Sequence, residues 1–90
     1  MATVRIPASL RSYTKNQEEV QSAGSTVGEV IQNLEPSYPG LRDRILDEKG
    51  VLRRYVNLFH NQDDIRFLQQ LATAVQDSDR ISVVPAIAGG

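Results

Sequence analysis

Cysteine is absent from the 90 residues. That excludes a disulfide framework and a thiolate metal site, and it leaves no side chain on which sulfur could ride as a persulfide. An excess of one charge sign is also missing, because ten Lys and Arg stand against eleven Asp and Glu for a formal net charge of -1. A general nucleic-acid binder works by displacing counterions with a basic surplus, so no nucleic-acid partner is expected and any partner surface must be recognised locally. No hydrophobic run approaches the roughly 20 residues that span a bilayer, and MATVRIPASL at the N-terminus lacks a basic stretch followed by an apolar core. The expectation is a cytoplasmic protein with no membrane partner. Ninety residues suffice for one modest core and not for two.

Candidate catalytic and metal groups are equally sparse. His60 is the single histidine, without a partner at metal-ligand or triad spacing, so a structural role at the rim of a core face is expected. Asp63 and Asp64 fall in a turn pattern and Asp77 and Asp79 in a polar loop, where solvated acids are the ordinary finding. Gly24, Gly28, Gly40 and Gly50 are too dispersed for a phosphate-cradling loop. Neither a catalytic group nor a metal site is expected in this chain.

Residues 3–6 alternate polar and apolar before Pro7, which predicts a strand with Val4 and Ile6 facing the core. A second strand is expected over residues 17–23, centred on Val20, with residues 12–16 as the turn between them. Thr26 and Glu29 stand at capping-box spacing ahead of Val27, Val30, Ile31 and Leu34, which predicts the main helix, ending at Pro36. Leu41, Ile45 and Leu46 suggest a shorter helix ending near Gly50. Residues 55–60 alternate again, placing Val56, Leu58 and His60 on one face and Tyr55, Asn57 and Phe59 on the other, as in a central strand. Residues 61–64 predict a hairpin turn, although without the glycine that tight turns favour. Ile65 to Phe67 is then the return strand, Leu68 to Val75 one loose turn, and residues 80–84 the last strand. Strands split by one strong helix predict an α+β fold, a mixed sheet with the helix packed on one face; a β-grasp sheet satisfies the order, as do other small α+β folds.

The informative part is the end of the chain. Ala86, Ile87, Ala88, Gly89 and Gly90 carry no capping, charge or packing pattern, so residues 1–85 are expected to form the domain and 86–90 a flexible tail. A frayed end is the plain alternative. The functional reading has a mechanism: a carboxylate acylates poorly until ATP converts it to an acyl-adenylate, after which sulfide, a persulfide or an amine can attack the carbonyl. Glycine suits that position because no Cβ crowds the carbonyl or a narrow channel leading to it. Extending five tail residues into such a channel costs on the order of 5–10 kcal/mol of backbone entropy, which docking of the folded body must offset. Phe59 and Val84 beside Arg5, Arg53 and Arg54, with Tyr55 nearby, are the candidate docking patch: exposed apolar residues with a basic rim.

YVNLFHNQDDIRF at 55–67 and LATAVQDSDRISVVPAIAGG at 71–90, with IPASLR at 6–11 and STVGEVIQNLEPSYPGLRDRIL at 25–46, closely resemble the MoaD/ThiS family of ubiquitin-like sulfur carriers, and within it the CysO-type carriers of cysteine biosynthesis. The resemblance covers essentially the whole chain and departs from the pattern at Gln62 and at Leu68-Gln69-Gln70. It implies a β-grasp fold and a carrier that is not itself an enzyme. Gly90 would be adenylated by a ubiquitin-activating-type adenylyltransferase/sulfurtransferase and converted to a thiocarboxylate, with Gly89 the small residue behind it and Ala86, Ile87 and Ala88 the threading segment. The implied acceptor is a pyridoxal-phosphate cysteine synthase, and a JAMM-type zinc metalloprotease would release the product. ATP, pyridoxal phosphate and zinc would thus belong to partners, and the carrier itself would be a monomer. A molybdopterin synthase small subunit and a protein modifier conjugated through Gly90 remain as alternatives.

Overall fold

The structure is a computed structural model that describes residues 1–85. Ala86, Ile87, Ala88, Gly89 and Gly90, to which the carrier and threading roles fall, lie outside the described residues.

β1 (Ala2–Arg5) runs in the expected register, with Ala2, Val4 and Ile6 buried and Arg5 exposed. It pairs antiparallel with β2 (Glu19–Ser22), placing Val4 opposite Val20. The link between them differs from the expected turn at 12–16: Ala8–Thr14 forms a 3-10 helix, closed by Lys15 and Asn16 at φ 55 and 66. Thr14 is the reason, because its buried hydroxyl donates to the Gln17 carbonyl at 2.9 Å and ties the helix end to the start of β2.

α1 (Val27–Gln32) begins as the capping-box spacing predicts. Thr26 Oγ1 accepts from the Glu29 N–H at 3.2 Å, and the Glu29 carboxylate reaches back to the N–H and hydroxyl of Ser25, both at 2.9 Å. Hydrogen bonding to Ser25 holds Glu29 below the usual carboxylate range. The helix is shorter than expected. Pro36 disfavours helical geometry at the residue before it, so the Leu34 and Glu35 N–H groups fall back on carbonyls three residues earlier, and regular α-helix stops at Gln32. Leu34 is still buried. Gly24 lets α1 sit against the strand end, for a Cβ there would stand 2.7 Å from the Val30 nitrogen.

α2 (Leu41–Ile45) is also shorter than expected. Leu46 leaves it in extended conformation and bridges Leu52, so the buried set Leu41, Ile45 and Leu46 is delivered by one helical turn plus one extended residue. β3 (Val56–His60) alternates as expected, with Val56 and Leu58 buried. Its hairpin turn is Asn61-Gln62, with the positive φ of 56 at Asn61, a residue type that tolerates that region. The return strand is therefore β4 (Asp63–Asp64), and Ile65–Phe67, expected as the strand, is a 3-10 turn capped by the Asp64 carboxylate on the Arg66 N–H. Ile65 turns inward and is fully buried.

β5 (Arg80–Pro85) closes the fold. The sheet order is β2-β1-β5-β3-β4, with β5 parallel to β1 and antiparallel to β3. β5 rather than β3 is the central strand. Its inward residues Ile81 and Val83 join Val4, Leu58, Val30 and Ile31 in one core between the sheet and the helices. This is the mixed five-stranded β-grasp sheet with its helix on one face. Among the described residues no helix is long and apolar enough to cross a membrane.

Candidate functional site

The helix-free face of the sheet carries a row of side chains fixed by strand register. Glu19 lies opposite Arg5, Arg5 opposite Ser82, Ser82 opposite Phe59, and Phe59 opposite Asp64. Val84 lies one step along β5, opposite Asn57 and diagonal to Phe59. Arg5, Phe59 and Val84 thus share one surface.

Its character differs in two respects from the expected patch. Val84 is 43% exposed, but Phe59 is half-buried among its cross-strand neighbours, so the apolar contact surface is smaller than an exposed phenylalanine would provide. Arg5 is also no free cation. Its Nε lies 3.7 Å from Glu19 Oε2, an oxygen that Arg80 approaches at 3.8 Å as well. Exposed pairs of this kind contribute little to stability, yet this one takes Arg5 out of the expected positive rim of Arg5, Arg53 and Arg54.

The other two docking candidates are elsewhere. Tyr55, 53% exposed, precedes β3 in a turn and lines the end of the sheet with Pro85, while Arg54 is exposed beside it. Arg53 is partly covered, its Nε donating to the Asp43 carbonyl at 2.7 Å. The site therefore has two parts: a sheet patch of Arg5, Phe59 and Val84, and a tail-root group of Arg54 and Tyr55 where β5 ends.

His60 has the structural role expected of it. Nε2 lies 2.7 Å from Asp79 Oδ2. Asp79, expected as a solvated acid, is instead the hub of the loop before β5. Its Oδ2 also accepts from the Gln76 N–H at 2.9 Å, and its Oδ1 from Asn61 Nδ2 at 3.4 Å. The Gln76 N–H, followed by His60 and Asn61, holds the Asp79 carboxyl below its ordinary value of 3.8, against an opposing push from burial. No local pattern signals this, because the partners lie 18 and 19 residues upstream.

A depressed folded-state value means that Asp79 adds stability above pH 3.8, and that this contribution is lost as pH falls below it. The stability gap between the native chain and Asp79→Asn should accordingly be constant at neutral pH and shrink below about pH 4. Urea midpoints of the two proteins across that range check this; a gap independent of pH would remove Asp79 from the loop's electrostatics.

No group of three or more His, Cys, Asp or Glu gathers to hold a metal ion among the described residues.

The family model described as the ThiS family matches residues 4–90. The chain belongs to the ThiS family. Its fold and membership agree with the sequence resemblance. It is similar to the sulfur carrier protein CysO of Mycobacterium tuberculosis, 44% identical over 90 residues that cover 98% of this chain and 97% of the relative. A chain in the crystal structure of the Amycolatopsis orientalis BexX/CysO complex superposes with a TM-score of 0.93 at 37% identity, covering 100% of both chains. Small archaeal modifier protein 3 of Haloferax volcanii is 39% identical over 66 residues, 73% of this chain and 71% of that protein.

Proposed function

We propose that this chain is a sulfur carrier of the CysO type that works through the carboxylate of Gly90. The observation that carries the reading is the full-length likeness to CysO, together with a family match that runs through residue 90 and so includes the Gly-Gly end.

The chemistry proceeds in two steps. A carboxylate oxygen of Gly90 attacks the α-phosphorus of ATP, releasing pyrophosphate and forming the acyl-adenylate. Sulfide then attacks the carbonyl carbon, AMP departs, and the thiocarboxylate remains. A partner of the ubiquitin-activating type holds the ATP. The thiocarboxylate sulfur would then add to the β-carbon of an aminoacrylate held by a pyridoxal-phosphate enzyme, and the Gly90 acyl group would pass from that sulfur to the amine once cysteine is free of the cofactor. Hydrolysis of the resulting amide by a zinc metalloprotease would release cysteine and restore the Gly-Gly end. In this chain Gly89, with Ala86 and Ala88 on either side of Ile87, would present little side-chain bulk to a narrow channel leading to the reacting carbon. The sheet patch of Val84, Phe59 and Arg5 docks the body while the tail is engaged.

Intact-mass measurement of the purified chain, incubated with its activating enzyme, ATP and sulfide, tests the reading. The expected result is the mass gain of one oxygen replaced by sulfur, mapped by fragmentation to Gly90. An unchanged mass would overturn it. The likeness to an archaeal modifier protein supports one other outcome of the same acyl-adenylate, attack by a lysine amine to give a conjugate. Higher-mass conjugates on a denaturing gel, in place of the sulfur adduct, would favour that reading.

A further inference from the structure

Three arginines gather where β5 ends. Arg44, Arg53 and Arg54 form no ion pair with a described residue, whereas Arg5, Arg11, Arg42, Arg66 and Arg80 each stand beside a carboxylate. In a chain with a formal net charge of -1, this concentrates positive charge at one place. The charges are also held in position. The Arg44 guanidinium lies 5.6 Å from the centroid of the Tyr13 ring, and its Nε donates to the Tyr13 hydroxyl at 2.6 Å. Arg53 is fixed through its Nε on the Asp43 carbonyl at 2.7 Å.

Two open clefts flank this group and meet at Tyr55. One, of about 400 Å³, is lined by Tyr13, Arg44, Tyr55 and Pro85. The other, of about 770 Å³, is lined by Arg53, Arg54 and Tyr55 with Val51 and Leu52. The acids nearby are already engaged. Asp47, in the larger cleft, accepts from the N–H groups of Lys49 and Val51, and Asp43 lies 3.4 Å from Arg42. The surface combines apolar walls with three arginines against the single carboxylate of Asp47, which lies within the field of Arg53.

Reach decides what must cover it. Five residues follow Pro85, ending in Gly90, and at full extension they span about 17 Å. Any protein that acts on the Gly90 carbonyl therefore brings its own surface to within about that distance of Pro85, which itself lines the smaller cleft.

We infer that the surface formed by Tyr13, Arg44, Arg53, Arg54 and Tyr55 is a second docking element that takes an acidic segment of the partner protein. Partner carboxylates meet the arginines while apolar partner side chains enter the clefts beside Tyr55. This rests on the carrier reading, and it adds a charge requirement that the sheet patch, with Arg5 already paired, does not impose. Such a rim accelerates encounter and fixes orientation, with an effect that falls steeply with salt.

The test uses the full chain and a defined probe, a synthetic hexapeptide alternating glutamate with leucine, titrated by amide nuclear magnetic resonance. Perturbed signals at Tyr13, Arg44 and residues 53–55 are expected, with binding weakened about tenfold by Arg54→Glu and further by Arg44→Glu/Arg54→Glu. Arg54 contacts no described hydrogen-bond partner, so its variant should keep the native melting temperature. Perturbations confined to the Arg5 and Phe59 face, equal binding of a lysine-leucine peptide, or equal binding by both variants would each overturn the inference. Peptide binding needs no activation of Gly90. A chain that binds the acidic peptide at this surface yet never acquires sulfur would remove the carrier reading alone; a chain that acquires sulfur at an unchanged rate in the double variant would remove the acidic-partner inference alone.

Discussion

Deletion of Gly90 is expected to reduce sulfur loading by more than about a hundredfold and to leave the melting temperature unchanged. The loss follows from geometry rather than stability. Removing one residue withdraws the reactive carboxylate by about 3.5 Å, whereas in-line attack requires the reacting atoms to be placed to within about an ångström, and a misplacement of that size costs about a hundredfold. In the proposed docking, where the sheet patch and the tail-root surface both hold the body, sliding would not make up the difference. Adding a third glycine should be as harmful as removing one. The core is built entirely from residues within 2–83, so neither change touches it. Steady-state loading followed by intact mass, beside thermal melting of each variant, separates the two effects. A shortened chain that loads at the native rate would mean that the reacting group lies elsewhere.

Leu58→Ala should be the most damaging single core substitution on β3. Leu58 is fully buried and lies opposite Val83 of the central strand, so truncation leaves a void between the sheet and the helices. Leucine-to-alanine changes at such sites cost about 2–5 kcal/mol, a large share of the roughly 5–15 kcal/mol that stabilises a domain. The urea midpoint should drop accordingly with an unchanged slope, and sulfur loading at physiological temperature should fall with the folded fraction. A loss under about 1 kcal/mol would contradict the placement of Leu58 in the core.

The alternation of β3 and the capping of α1 were legible in the sequence because each depends on residues close together in the chain. Val56 and Leu58 face inward as period two requires, and Thr26 with Glu29 starts the helix. The strand after the β3 turn was not legible. Asp63-Asp64 is too short and polar to show a period, while Ile65 and Phe67 imitate strand spacing although a 3-10 turn delivers Ile65 to the core. The helix over Ala8–Thr14 was missed for a related reason: Thr14 is fixed by a buried hydroxyl contact, not by an apolar repeat.

The candidate site divides in the same way. Alternation correctly put Arg5, Phe59 and Val84 on one face, since strand parity decides it. It could not reveal that Glu19 neutralises Arg5 or that neighbours half-cover Phe59, both of which depend on strand order. Nor could local pattern bring Tyr13 and Arg44 to the end of β5. They are 31 residues apart in sequence and meet only in the folded chain.

The parallel pairing of β1 with β5 sets Ala2, where β1 begins, and Pro85, where β5 ends, at opposite ends of two neighbouring inner strands, and β5 is bonded on both sides. A pull that separates these two ends loads the β1–β5 ladder in shear, so that many bonds must yield together instead of unzipping one after another. Force applied along β5 from its Pro85 end is thus shared between the two strands that flank it.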